Sequence, residues 1–168
     1  MLRKHLAPWI VNTILFFVLI VIVKFLVFPG LGLILGTELP IVAVVSSSME
    51  HDGSFDQWWE GQKTYYEKIG ISKDQFNEFQ LSNGFNKGDM IFIVGKDPEE
   101  LRVGDVIVFR SGLPYPVIHR IVKIRPEGEK HIFHTKGDEN PESIQALKFD
   151  ETKIPEDAVL GIALFKVP

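Results

Sequence analysis

Cysteine is absent from the 168-residue sequence. This excludes a disulfide framework, a thiolate nucleophile and a zinc–thiolate site. It does not indicate a compartment, because many exported proteins have no disulfides. The length suits one domain with an anchor and is sufficient to bury a real core.

Charge is distributed unevenly along the chain. No acidic residue precedes Glu38, and Arg3, Lys4 and Lys24 are the only basic residues before position 30. Residues 31–168 therefore carry 15 basic and 22 acidic side chains, a net charge of −7. A nucleic-acid-binding protein needs a basic stripe to neutralise phosphates. We therefore expect no nucleic-acid partner.

Residues 8–28 form a long apolar run whose single charge is Lys24. A helix of this length matches a hydrocarbon core of roughly 30 Å. A removable signal peptide is the competing interpretation, but its apolar region is only about 7–15 residues long and ends in small residues. The run is longer and bulkier, so we predict a retained transmembrane helix that contacts the lipid bilayer, with Lys24 reaching towards the interface.

The basic residues predict the orientation of this helix. Arg3, Lys4 and His5 precede the span. No basic residue lies between Lys24 and Lys63 on its other side. The positive-inside rule then places residues 1–7 in the cytoplasm and 39–168 outside it, in a single-pass protein of the cell membrane or the endoplasmic-reticulum membrane.

The juxtamembrane segment 29–38 begins with Pro29-Gly30, which we expect to break the helix. The apolar residues that follow either prolong the helix or lie along the interface, since they are too few to span the bilayer a second time. In both cases Ser48 is expected close to the lipid surface.

The body from residue 39 onwards is predicted to be mainly β. Residues 39–46 are apolar and β-branched, as in a strand buried on both faces. Further strand patterns cover 88–95, 104–110, 116–124, 131–138 and 158–167; the turn dipeptide Gly-Asp begins the first two and ends the fourth. The absence of βαβ spacing favours an antiparallel, barrel-like domain.

An insert at about 52–86 interrupts the β pattern. Residues 56–70 are predicted to form a helix, and Ser72 is predicted to be the N-cap of a second, shorter one. The insert is rich in amphipathic aromatic residues, which either form an interfacial belt at the membrane or cover the β core. These residues are Trp58, Trp59, Tyr65 and Tyr66.

Ser48 and His119 are the first candidate catalytic residues. Ser48 lies where a buried strand meets a sharp turn, and a serine hydroxyl becomes nucleophilic only when a neighbour takes its proton. In the strand pattern 116–124, period-2 alternation places His119 between Val117 and Ile121 on one face. Such a histidine is often a satisfied core residue, but imidazole is also well suited to act as a general base.

A third group is needed to fix the tautomer of the base. Asp138, in the motif TKGDEN, lies at a strand end from which a carboxylate can reach inward. The alternative is an aspartate that caps its own turn.

Five motifs together resemble the successive boxes of type I signal peptidases. They are SSSMEH around Ser48, KGDMIFIV at 87–94, VGDVIVF at 103–109, VIHRIV at 117–122 and TKGDEN at 135–140. Their order and rough spacing, behind a single N-terminal anchor, cover about two-thirds of the chain. Because His119 stands where bacterial members carry a lysine base, the chain resembles the archaeal and endoplasmic-reticulum type, a Ser–His–Asp subtype of S26 serine peptidases.

The resemblance implies a signal-peptidase fold and a serine endopeptidase that cuts signal peptides from exported precursor proteins. Ser48 is implied as nucleophile and His119 as base, with an oxyanion hole from the Ser48 N–H and the Ser46 hydroxyl. Substrate is expected as an extended strand with small residues at the cut. No cofactor or metal is implied, and accessory membrane subunits are left undetermined.

The sequence departs from this family pattern in two places. The insert at about 52–86 lengthens the segment after the serine box. The related enzymes also carry a second aspartate, which completes the triad, about six residues beyond Gly-Asp, where this chain has Ile144. We predict Asp138 as the triad acid, with Asp150 as the alternative and Glu142 as the other nearby carboxylate.

Two rival functions come from other classes. A metal-dependent hydrolase would use His131, His134 and Asp138, although positions i and i+3 of a strand face opposite sides. The other rival is a catalytically inactive, membrane-tethered β module.

Overall fold

A computed structural model describes residues 7–168 of the chain. Arg3, Lys4 and His5, on which the predicted orientation in the membrane depends, lie outside the described residues.

The N-terminal helix α1 spans Pro8–Leu35. It is long and apolar enough to cross a membrane, and none of its most apolar stretch is buried against the body. The predicted break at Pro29-Gly30 is wrong, because the helix continues to Leu35 and ends at Gly36 in the left-handed conformation, with φ 64°. A π-helical turn over Val23–Val27 precedes the proline. The wider turn accommodates a residue that cannot donate a backbone hydrogen bond.

The body is built from antiparallel strands, which confirms the predicted fold class. They are β1 (Ile41–Ala43), β2 (Met90–Val94), β3 (Val106–Phe109), β4 (Val117–Glu127), β5 (Lys130–Lys136), β6 (Gln145–Ala146), β7 (Phe149–Asp150), β8 (Ile154–Pro155) and β9 (Val159–Val167). Seven of them form a sheet in the order β1-β2-β9-β3-β4-β5-β8, which curls into a half-barrel. Strands β6 and β7 pair separately as a hairpin. Short 3₁₀ turns at Pro98–Glu100 and Glu156–Ala158 complete the body.

Strand β1 is shorter than predicted and lies at an edge of the sheet. It pairs with β2 from Ile41 to Ala43. Two more backbone hydrogen bonds, from the Val44 N–H to the Asp89 carbonyl and from the Gly88 N–H to the Val44 carbonyl, hold the chain as far as Val44. Val44 is buried whereas Val45 is 73% exposed. The apolar run therefore ends in an irregular segment that leads into the three serines.

The insert contains helices α2 (Phe55–Lys68) and α3 (Lys73–Asn77). The predicted N-cap is confirmed, since Ser72 forms a capping box with Gln75. The aromatic residues cover the β core instead of forming an interfacial belt: Trp58, Trp59 and Tyr66 are at most 4% exposed. Their cluster packs against Val122 of β4 and closes one side of the body.

Candidate active site

Ser48 lies in a turn that is anchored on both sides. The backbone N–H of Glu139 donates to the Ser48 carbonyl at 2.9 Å, and the N–H of Phe85 donates to the next carbonyl, that of Met49, at 2.9 Å. The Met49 side chain is only 1% exposed. Burial of Met49 and these two hydrogen bonds hold the main chain so that the Ser48 hydroxyl faces the interior of a cleft.

His119 meets Ser48, although the two lie 71 positions apart in the sequence. It lies near the start of β4, opposite Ile107 of β3. The imidazole is 4% exposed, and its Nε2 lies 2.9 Å from the Ser48 Oγ. The structure thus brings the predicted nucleophile and base into hydrogen-bond contact.

The carboxylate beside the His119 ring belongs to Glu151. Its Oε1 lies 2.5 Å from His119 Nδ1. The hydroxyl of Thr135 donates to the same oxygen at 3.1 Å, and the backbone N–H of Ile144 donates to Oε2 at 2.7 Å. Glu151 is completely buried. These bonds position a carboxylate that accepts from Nδ1–H and so leaves Nε2 free to accept a proton from Ser48.

Glu151 is not among the residues predicted from the sequence, although the sequence contains a signal for it. Period-2 alternation after the buried Phe149 directs Asp150 outward and Glu151 inward. The structure agrees, since Phe149 and Glu151 are buried while Asp150 is half-buried.

Asp138 does not contact the His119 ring and is paired elsewhere. Its Oδ2 lies 2.6 Å from Arg120 Nη2, its Oδ1 lies 2.9 Å from Arg120 Nε, and His51 Nε2 lies 3.0 Å from Oδ2. The predicted His119–Asp138 pairing is therefore not found. Arg120 follows His119 on β4, so the two side chains face opposite sides of the strand, and a carboxylate that pairs with one cannot reach the other.

The environment of Asp138 stabilises its charged form. Burial by itself raises the pKa of this carboxyl group, but the charge of Arg120 and hydrogen bonds from His51 and Arg120 hold the pKa well below its usual range.

The remaining predicted carboxylates also lie away from the His119 ring. Asp150 accepts from the N–H and the hydroxyl of Thr152, at 2.9 and 2.7 Å. Glu142 is exposed to solvent.

Several signal peptidase subunits are similar to this chain in sequence. No protein-family model matches the sequence. The signal peptidase complex catalytic subunit SEC11C of Homo sapiens is 28% identical over 141 residues, which cover 83% of this chain and 57% of the relative. SEC11 of Scheffersomyces stipitis is 27% identical over 117 residues, or 69% of this chain and 51% of the relative. The putative subunit SEC11B of Homo sapiens is 29% identical over 158 residues, or 92% and 75%.

The chain is a homologue of signal peptidase catalytic subunits. The chain spans about 57% of the length of SEC11C. The resemblance carried by the five sequence motifs is thereby confirmed.

Ser46, whose hydroxyl was predicted to donate to the oxyanion, lies beside the predicted nucleophile. The Ser46 Oγ lies 3.2 Å from the Ser48 Oγ. A hydroxyl at this distance from the nucleophile is close enough to donate to an oxygen that develops on the attacked carbonyl.

A cleft of about 550 Å³ opens beside the serine and the histidine. The edge strand β1 forms one wall, the loop before β4 forms the second, and Ile144 and Phe149 form the third. The walls are mostly apolar, and the side chains of Ser46, Ser48, Tyr115, His119 and Asn140 supply polar groups. The shape suits an extended peptide that pairs with the edge of β1.

The residues of the rival metal site do not converge. His131 Nδ1 pairs with Glu156 at 3.3 Å, whereas Asp138 is bound to Arg120 and His51. Burial lowers the pKa of His134. Within residues 7–168, no group of three His, Cys, Asp or Glu side chains lies close enough together to hold a metal ion.

Proposed function

We propose that the protein is a membrane-anchored serine endopeptidase that removes signal peptides from exported precursor proteins. The observation that carries the proposal is the continuous contact from Ser48 Oγ to His119 Nε2 and from His119 Nδ1 to Glu151. Homology to signal peptidase catalytic subunits indicates the substrate class.

Each residue has one task in the proposed reaction. His119 takes the proton of the Ser48 hydroxyl as Oγ attacks the scissile carbonyl, and Glu151 stabilises the imidazolium that forms. The Ser46 hydroxyl and the Ser48 N–H donate to the oxyanion. The imidazolium then gives its proton to the departing amine, which leaves an ester on Ser48. Water hydrolyses this ester with His119 again as the base.

The anchor places this chemistry near a bilayer surface. The N–H of Gly95, just beyond β2, donates to the carbonyl of Leu35 at 2.7 Å. The hydroxyl of Thr37 donates to the Leu160 carbonyl at 2.7 Å. These bonds attach the end of α1 directly to the catalytic sheet, so the body cannot move far from the membrane that α1 is proposed to cross.

The test is cleavage of a signal-peptide-bearing precursor by the full chain in detergent. Ser48→Ala and His119→Ala are each expected to lower the rate at least about 10³-fold, because the nucleophile or its base is lost. Ser47→Ala, which alters an exposed neighbour, is the control and keeps activity. Undiminished cleavage by Ser48→Ala would disprove the proposal, and loss of activity on adding a chelator would point to the metal hydrolase.

The proposed orientation has the N-terminus in the cytoplasm and the catalytic body outside it. Because the chain has no cysteine, a single cysteine introduced by Gly61→Cys on α2 provides an unambiguous label. A membrane-impermeant maleimide added to intact cells or sealed vesicles is expected to react only from the extracytoplasmic side. Labelling only from the cytoplasmic side would reverse the orientation.

A further inference from the structure

The helical insert contacts the turn that holds Ser48. This turn covers residues 136–140, and both polar atoms of the Gln62 side chain, on α2, form hydrogen bonds with it. Its Nε2 donates to the Glu139 carbonyl at 3.1 Å, and its Oε1 accepts from Lys136 Nζ at 3.1 Å. A glutamine that joins helix α2 to this turn by two hydrogen bonds restricts the motion of both.

The turn at 136–140 also holds the main chain of the nucleophile, Ser48. The N–H of Glu139 donates to the Ser48 carbonyl at 2.9 Å. Lys136 Nζ, which is fully buried, donates to the carbonyls of Gly137 and Asp138 at 3.1 and 2.9 Å. Glu139 thus bonds on one side to Gln62 and on the other to Ser48, so a displacement of Gln62 is passed to Ser48 through a single residue.

A second set of contacts joins the insert to the strand of the base. Arg120, next to His119, donates to the backbone carbonyls of Gln80 and Leu81 at 3.0 and 2.9 Å. Its guanidinium lies 4.7 Å from the ring centre of Phe76. The insert therefore touches the turn behind Ser48 and the residue that follows His119.

We propose that the helical insert is a positioning element of the active site, in which Gln62 holds the turn at 136–140 against the main chain of Ser48. This inference deepens the proposed function and rests on it. Gln62 does not contact the reacting atoms, so it is a positioning residue. Its effect is on the distance between Ser48 Oγ and His119 Nε2, and small misplacements of reacting groups lower rates steeply.

The experiment compares Gln62→Ala with Glu67→Ala in the full chain in detergent. Glu67 is an exposed residue of the same helix, so its removal deletes a side chain of similar size without touching the turn. Two readouts are taken at a temperature at which both variants are fully folded. They are hydrogen exchange of the amides in segment 136–142 and the separate kcat and KM for precursor cleavage.

The proposal expects faster exchange of the Glu139 amide in Gln62→Ala and a kcat about five- to tenfold lower with KM unchanged, the loss that corresponds to one net hydrogen bond. Glu67→Ala is expected to match the wild type in both readouts. The pH dependence of kcat is expected to keep its midpoint, because the contact between His119 and Glu151 is intact.

Unchanged exchange at Glu139, or a kcat equal to that of Glu67→Ala, would overturn the inference. Exchange is measured independently of activity, so the two proposals can fail separately. If Ser48→Ala still cleaves precursor while Gln62→Ala loosens the turn, the proposed function fails, and Gln62 remains the residue that holds the turn.

Discussion

The Oε1 atom of Glu151 lies 2.5 Å from Nδ1 of His119, across 32 positions of sequence. This contact assigns the carboxylate beside the imidazole to a residue that follows the β6–β7 hairpin, and not to the Gly-Asp motif. The carboxylate of that motif, Asp138, lies in a separate buried network with Arg120 and His51. The two carboxylates are therefore expected to respond differently to mutation.

Glu151→Gln is expected to lower kcat by about 10³–10⁴-fold with little change in folding. A neutral amide of the same size cannot stabilise the imidazolium and permits the wrong tautomer. Precursor cleavage measures the rate. Asp150→Asn changes the adjacent carboxylate, whose partner is Thr152, and is expected to stay within about twofold of the wild type. The reverse pattern would return the role to Asp150.

Ser46→Ala is expected to lower kcat by about 10²–10³-fold and to leave KM nearly unchanged, because a donor to the oxyanion acts only in the transition state. Steady-state kinetics with a precursor peptide separates the two constants. Ser47→Ala, at an exposed position between the two site serines, provides the matched control. A KM effect alone would assign Ser46 to substrate binding.

Gly137→Ala is expected to remove most of the activity, by about 10²-fold. A Cβ at this position would lie 2.8 Å from the Ser48 carbonyl oxygen and 2.9 Å from His119 Nε2. Neither atom can withdraw without separating the nucleophile from the base. Gly61→Ala on α2, where a Cβ meets nothing within 4 Å, is the control and is expected to stabilise the helix slightly. Full activity of Gly137→Ala would show that the turn at 136–140 can move without effect on the reaction.

The free energy of unfolding is expected to fall in acid because Asp138 becomes protonated. The folded protein holds the pKa of this carboxyl group below that of the unfolded chain. The unfolded state therefore binds the proton first as pH falls. The contribution of Asp138 to the free energy of unfolding is complete above about pH 5 and is lost progressively below about pH 4.

Denaturant unfolding in detergent from pH 6 down to about pH 2.5 measures this loss. The double variant Arg120→Met/Asp138→Leu replaces the buried pair by apolar groups of similar size and avoids leaving an unpaired charge. Its free energy of unfolding is expected to depend less steeply on pH below about 4. An identical acid dependence in both proteins would exclude Asp138 as the source.

Much of the fold could be predicted because its signals are local. The apolar run of α1, the turn dipeptides, the period-2 strands and the N-cap at Ser72 each depend on neighbouring residues. The predicted helix break at Pro29-Gly30 was wrong, because a proline interrupts a helix only where the preceding turn cannot widen to accommodate it. The sequence could not show whether Trp58 and Trp59 cover the β core or form an interfacial belt at the membrane, since both arrangements require the same amphipathic residues.

Sequence by itself determined the identity of the nucleophile and base candidates, since Ser48 and His119 lie in motifs whose residue types and order already indicate their chemistry. Only the tertiary structure decided which carboxylate faces the imidazole. Adjacent residues of a strand point to opposite faces, so the pairing of β4 with its neighbours directs His119 towards Glu151 and Arg120 towards Asp138. That choice depends on how distant strands and the insert pack together. Local alternation indicates that Glu151 points inward, but it does not indicate which inward-facing side chain Glu151 meets.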